Sequence, residues 1–238
     1  MVDIRERVKT GIDGFDELIN GGIPRGNLVV VTGSCGTGKT TFVLQSLYNA
    51  LKNGETAIYI SFEQSSDKIR KFMKRNYGWD FSKYEKKKKF AFLDLDPFVT
   101  ARSVEASLAQ KKGELLISVE GLDFPFAPDR IAVDSLSALA VAFLGNIENY
   151  RYYIRHLFLS LEQIGSVNYF VSETSDPDHY SPAGIEEFLA DGVVLLYNKK
   201  IKNKRYRYME ILKMRWSDHA KKLIPFKIDK HGIKLSRK

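Results

Sequence analysis

The chain has 238 residues, 44% hydrophobic and 28% charged, with one cysteine and a formal net charge of +8. That length suits one substantial core, the composition is ordinary for a soluble globular protein, and a single cysteine excludes an internal disulfide. No apolar run approaches the roughly 20 residues of a membrane span, and the start, Met1 to Arg7, lacks the apolar core of a secretory signal. A cytoplasmic protein with no membrane attachment is therefore expected. The positive charge is clustered at Lys83–Lys89, Lys199–Arg207 and the C-terminal tail. Such clusters suit either a nucleic-acid backbone or the solvated surface of a Lys- and Glu-rich heat-stable protein, and the residues leave both readings open.

In chain order, β-branched and apolar runs predict strands at Leu28–Thr32, Ala57–Phe62, Phe90–Asp94, Arg130–Asp134 and Asn168–Ser172. Amphipathic stretches between them predict helices at Lys39–Lys52, Asp67–Tyr77, Ala101–Lys111 and Asn149–Ile164. Near-continuous apolar strands separated by helices indicate an α/β fold with a mostly parallel sheet covered on both faces. Beyond Ala190 the pattern changes to consecutive strands, Gly192–Tyr197, Tyr206–Met214, Leu223–Ile228 and Ile233–Leu235, with Lys199–Lys204 joining the first two. These read as an antiparallel extension of the same sheet. Leu115–Val119 fits either a strand or a helix end. No linker or internal repeat divides the chain, so residues 1–238 are expected to form one domain.

Gly33-Ser34-Cys35-Gly36-Thr37-Gly38-Lys39-Thr40 is a full P-loop motif, preceded by an apolar strand and followed by a helix. The glycines let the backbone curl around an anion, and the helix directs its positive end at the phosphates. Lys39 is expected on the β- and γ-phosphates and the Thr40 hydroxyl on Mg²⁺, with Gly33 to Thr41 forming the ATP/ADP-binding segment. Cys35 is either a redox-sensitive thiol at a helix N-terminus or a small residue tolerated in the loop. Asp134 ends an apolar strand and would hold Mg²⁺ through water if that strand neighbours the first. Glu63 ends another strand and is either the base that orients the attacking water or a carboxylate serving the helix from Ser66 onward.

The stretch Thr10-Gly-Ile-Asp-Gly-Phe-Asp-Glu-Leu-Ile-Asn-Gly-Gly-Ile-Pro-Arg-Gly26, with the P-loop and Phe62-Glu63, resembles the KaiC-like branch of the RecA/RadA ATPases. Glu210-Ile-Leu-Lys-Met-Arg215, then Ser217 and His219, and Pro225-Phe226 leading to His231-Gly-Ile233 carry the same resemblance. It runs from about residue 8 to 235 and looks like the single-unit archaeal relatives. It implies a RecA-like fold and a ring, usually hexameric, with ATP between subunits. By the same resemblance Lys213 and Arg215 reach the neighbour's γ-phosphate, while Met214, Ser217 and His219 contact the neighbour's nucleotide. Strand-surface charge would equally explain the two cations.

Three departures from the family pattern matter. Gln64 stands where a second glutamate is common, which leaves one carboxylate and predicts slow turnover. Trp216 stands where a glycine usually follows Lys-x-Arg. Glu187 and Phe188 stand where the clock autokinase carries adjacent Ser and Thr, so no clock-type autophosphorylation is expected.

The leading expectation is a slow, ring-forming regulatory ATPase with a protein partner. The alternatives are a recombinase paralogue that binds DNA and a nucleotide-binding scaffold with negligible turnover. In RecA-type recombinases the loops after the strands at Arg130–Asp134 and Asn168–Ser172 hold DNA. Here the second carries Glu173, Asp176, Asp178, Glu186 and Glu187 with no base, and the first has none around Gly145–Glu148, Arg151 and Arg155 lying beyond it. An acidic loop repels phosphates. DNA is left the outer basic clusters, where Tyr206 and Tyr208 either stack on bases or simply alternate along a strand.

Overall fold

The computed structural model describes residues 6–110, 124–174 and 180–236. Strand β1 (Arg7–Val8) pairs antiparallel with β2 (Ile23–Pro24) around a 3-10 turn at Asp16–Ile19. Then follow β3 (Leu28–Gly33), α1 (Lys39–Lys52), β4 (Ala57–Ser61), α2 (Ser66–Tyr77), α3 (Ser82–Glu85), β5 (Phe90–Asp94) and α4 (Pro97–Gln110). After residues 111–123 come β6 (Arg130–Asp134), α5 (Leu136–Ala142), α6 (Ile147–Ile164), β7 (Val167–Glu173) and α7 (Glu186–Leu189). The chain ends in β8 (Gly192–Ile201), β9 (Lys204–Met214), β10 (Ile224–Asp229) and β11 (Gly232–Leu235). The ambiguous Leu115–Val119 lies outside the described residues.

One sheet carries the order β11-β10-β9-β8-β3-β7-β6-β4-β5. The pairs from β8 to β5 are parallel, and β8–β9, β9–β10 and β10–β11 are antiparallel. This is the expected mostly parallel α/β sheet with an antiparallel extension. In β3 all residues are buried, and alternation divides them: Val29 and Val31 face a core beneath α1, Leu28 and Val30 face one beneath α5 and α6. Each large side chain so buried contributes about 1.5–3 kcal/mol. Helix α1 is buried on nearly every side because β11 closes over its outer face, where Gln45 exchanges hydrogen bonds with Ile233 N (2.6 Å) and Ile233 O (3.0 Å).

Element ends differ from the sequence reading for local reasons. Helix α4 begins at Pro97 rather than Ala101, because Asp96 accepts from the Phe98 and Val99 amides and proline suits a first turn. Strands β8 and β9 run on through Ile201 and Lys204, so the joining segment is itself mostly paired strand. Helix α5 was not expected; Ser135 caps it by accepting from Ala138 N at 3.2 Å. Among the described residues no helix is long and apolar enough to cross a membrane.

Candidate functional site

The loop between β3 and α1 is shaped by what crowds it. Gly33 has φ 150°, and a Cβ there would strike the Leu196 carbonyl of β8. Gly38 has φ 107°, and a Cβ there would come within 2.6 Å of Ile228 Cδ1 on β10. Only glycine satisfies both demands. No side chain caps α1 at Gly38, so its first amides open into a cleft of about 430 Å³, within the roughly 300–1,000 Å³ of small-molecule sites.

Lys39, almost fully buried, donates to Gly33 O (2.8 Å), Ser34 O (3.1 Å) and Glu173 Oε1 (3.0 Å). Thr40 Oγ1 donates to Asp134 Oδ2 at 2.8 Å, and the Tyr59 hydroxyl donates to the same oxygen at 2.6 Å. Burial pushes the Asp134 carboxyl up, against the lowering pull of the Tyr59 and Thr40 hydrogen bonds, while the charge of Glu63 adds to the rise. The strand of Asp134 does not neighbour the first one as the sequence reading required. β7 lies between β3 and β6. The pair meets because α1 crosses the sheet and packs against β6.

Glu63 is exposed at the cleft, and Ser135 Oγ donates to its Oε2 at 3.3 Å. Its alternative role as the carboxylate of α2 is filled by Asp94, which accepts from Ser66 N at 3.0 Å. Cys35 is exposed and lines the cleft with Gly36, Gly38 and Thr41. Thr37 is buried, its hydroxyl bonded to Ser34 O at 2.9 Å. The arrangement gathers the Lys39 ammonium, the Thr40–Asp134 hydroxyl–carboxylate pair and the exposed Glu63 carboxylate around an uncapped helix start. That donor set fits a polyphosphate and a hard divalent cation.

A family model described as "ATPase: KaiC" matches residues 8–238. The chain belongs to the KaiC family. Circadian clock protein KaiC3 of Synechocystis sp. is 34% identical over 230 residues, which is 96% of this chain and 45% of that protein. Circadian clock oscillator protein KaiC of Synechococcus elongatus is 32% identical over 236 residues, 96% of this chain and 44% of that protein. The chain thus spans a little under half the length of the clock proteins it matches. The crystal structure of a KaiC-like protein from the hyperthermophilic archaeon Pyrococcus horikoshii OT3 superposes with TM-score 0.80 at 34% identity, covering 98% of this chain and 99% of that one.

Lys213, Met214, Arg215, Ser217 and His219 do not line the chain's own cleft. Lys213 Nζ donates to Glu187 O at 2.9 Å, and burial, joined by the Arg215 charge, lowers its pKa against the pull of Asp191 and Glu187. Arg215 pairs with Asp191 Oδ1 at 3.3 Å and donates to Phe188 O at 3.3 Å. Ser217 Oγ donates to Ile19 O at 3.0 Å, and His219 Nδ1 lies 3.3 Å from Ala220 O. The Met214 side chain is buried in the core against Gly192 and Asn27, so it offers a neighbour only backbone.

Sequence reasoning missed Tyr77, Val171, Glu173, Arg207 and Ile228 as cleft residues. Glu173 and Arg207 had been read as loop acid and outer basic cluster; the register Gly33↔Glu173 and the approach of Arg207 Nη2 to Gly36 O at 3.5 Å bring both to the P-loop. Of the acids read as one phosphate-repelling loop, Glu186 is buried and accepts from the Tyr150 hydroxyl at 2.6 Å, and Glu187 accepts from Ser181. Asp176 and Asp178 lie outside the described residues.

Proposed function

We propose that this KaiC-family chain binds Mg²⁺–ATP in the cleft and hydrolyses it slowly, with a neighbouring copy completing the site. What supports this most is one observation: Lys39, Thr40, Asp134 and Glu63 line a single cleft at the uncapped start of α1. In this reading the P-loop amides and Lys39 hold the phosphates, and Thr40 and Asp134 hold the metal. Mg²⁺ supplies charge neutralisation at the terminal phosphates. Glu63 orients the attacking water. With Gln64 beside it instead of a second glutamate, water activation rests on one carboxylate, and turnover is slow.

Lys213 and Arg215, held by α7 and Asp191 away from their own cleft, serve the next subunit's γ-phosphate, where a cation supplied in trans stabilises transition-state charge. Met214 (through its backbone), Ser217 and His219 belong to the same contact. The chain acts as one domain, in a hexameric ring in the cytoplasm, as a regulatory module whose nucleotide state governs a protein partner. It performs no clock-type autophosphorylation.

Steady-state ATP hydrolysis with Mg²⁺, with and without single- and double-stranded DNA, tests this, with Lys39→Ala as the blank. Slow turnover indifferent to DNA is expected. Strong stimulation by DNA would overturn the regulatory reading in favour of a recombinase paralogue acting through Lys83–Lys89 and Lys199–Arg207.

A further inference from the structure

Lys39 has three ammonium protons, and all have partners: the carbonyls of Gly33 and Ser34 and the carboxylate of Glu173. An incoming phosphate must displace at least one. The two carbonyls belong to the loop that shapes the cleft. Glu173 is the only side chain of the three, and it is 48% exposed against 7% for Lys39, so it is the group that can leave.

Its position is built in. It is the last residue of β7, directly paired with Gly33, and its amide donates to Ser137 Oγ at 2.7 Å. A carboxylate is therefore anchored where the P-loop ammonium would meet phosphate. Glu63 lines the same cleft, so a displaced Glu173 stays near a second carboxylate. In that reading either nucleotide brings a β-phosphate to Lys39, and a triphosphate adds the γ-phosphate, so it brings the larger negative charge to the end of the cleft where Glu173 sits. Like charges in a partly desolvated cleft repel more strongly than in water.

We propose that Glu173 is a specificity-determining residue that competes with the terminal phosphate for Lys39, biasing the cleft toward nucleoside diphosphate over triphosphate. The proposal rests on the reading of the cleft as a nucleotide site. It pairs the P-loop lysine with a carboxylate in the nucleotide-free chain, and it makes the triphosphate state the one that competes hardest with that carboxylate.

Calorimetric titration of the full chain with Mg²⁺–ADP and with the Mg²⁺ complex of the β,γ-imido analogue of ATP tests it, comparing wild type with Glu173→Gln and Glu173→Ala. Glu173→Gln is expected to raise affinity for the triphosphate analogue about tenfold and for ADP less than about threefold, Glu173 being half exposed and the contact partly screened. Glu173→Ala should shift the ratio in the same direction. Equal gains for both nucleotides, no change in either, or weaker binding of the analogue would each overturn the proposal; the last would make Glu173 a ligand of the nucleotide or its cation. Wild type binding neither nucleotide would instead remove the nucleotide-site reading itself, and this one with it. Should Glu173→Gln fail to fold, judged by melting without nucleotide, Glu173→Ala and Glu173→Asp read the same affinity ratio.

Discussion

Thr40 and Asp134 stand 94 residues apart in the chain and 2.8 Å apart in space. Their meeting was legible because each carries its own local signature: a P-loop threonine, and an acid closing an apolar strand. Glu63 was legible in the same way, as an acid closing an apolar run, although β4 itself stops at Ser61. Glu173, Arg207, Tyr77 and Ile228 were not, since nothing near them in sequence ties them to the P-loop. Glu173, Arg207 and Ile228 reach the cleft through strand register and through the fold of β10 over the P-loop, which are properties of the whole sheet, and Tyr77 reaches it from the end of α2. Cys35 offers a direct probe at this scale. It is exposed and lines the cleft, so a nucleotide seated on the P-loop should shield it. Alkylation followed by intact mass should slow markedly with Mg²⁺–ATP present, and equal labelling with and without nucleotide would contradict occupancy of this loop.

Trp216 shows how an element carries information that one residue hides. It follows β9 with φ 63°, a backbone conformation that favours glycine, and the residue is 64% exposed. Trp216 thus occupies a turn whose backbone suits the glycine that the family resemblance leads one to expect there. Arg7 Nη2 holds that turn by donating to the Trp216 carbonyl at 2.7 Å, a contact that Trp216→Gly would keep. Phe188, 72% exposed, sits in the same neighbourhood, its carbonyl bonded to Arg215. In the proposed assembly these rings flank the cations offered to the neighbour. Trp216→Gly should leave folding stability within about 1 kcal/mol, because relief of the left-handed strain offsets the entropy that glycine adds to the unfolded chain. It should weaken self-association, read by sedimentation velocity with Mg²⁺–ATP. Unchanged association would remove Trp216 from the subunit contact. The extents of β8 and β9 were misjudged in sequence because Lys199–Lys204 is polar and looks like a loop, while its backbone is largely paired across the hairpin.

At the scale of the molecule, the net charge of +8 gave little guidance, because the basic residues do different jobs. Arg130 is buried, pairs with Glu55 at 2.8 Å and donates to Ser46 Oγ and Lys9 O, tying β6 to α1 and the N-terminal segment. Arg207 faces the P-loop, while Lys199, Lys200, Lys202, Lys204 and Arg205 are exposed on the hairpin. The fold class and the antiparallel extension were legible because apolar strands alternate with amphipathic helices and then stop doing so after Ala190. The strand order was not, which is why β7 stands unexpectedly between β3 and β6. The central claim is that hydrolysis is shared between copies: Glu63 acts within its own cleft, and Arg215 acts in the next one. The most direct measurement mixes Arg215→Ala with Glu63→Gln, each inactive or nearly so alone, and follows ATP hydrolysis against the mixing ratio. A shared site predicts that activity reappears in the mixture, from interfaces pairing an intact Glu63 with an intact Arg215. A mixture no more active than its components would contradict the account.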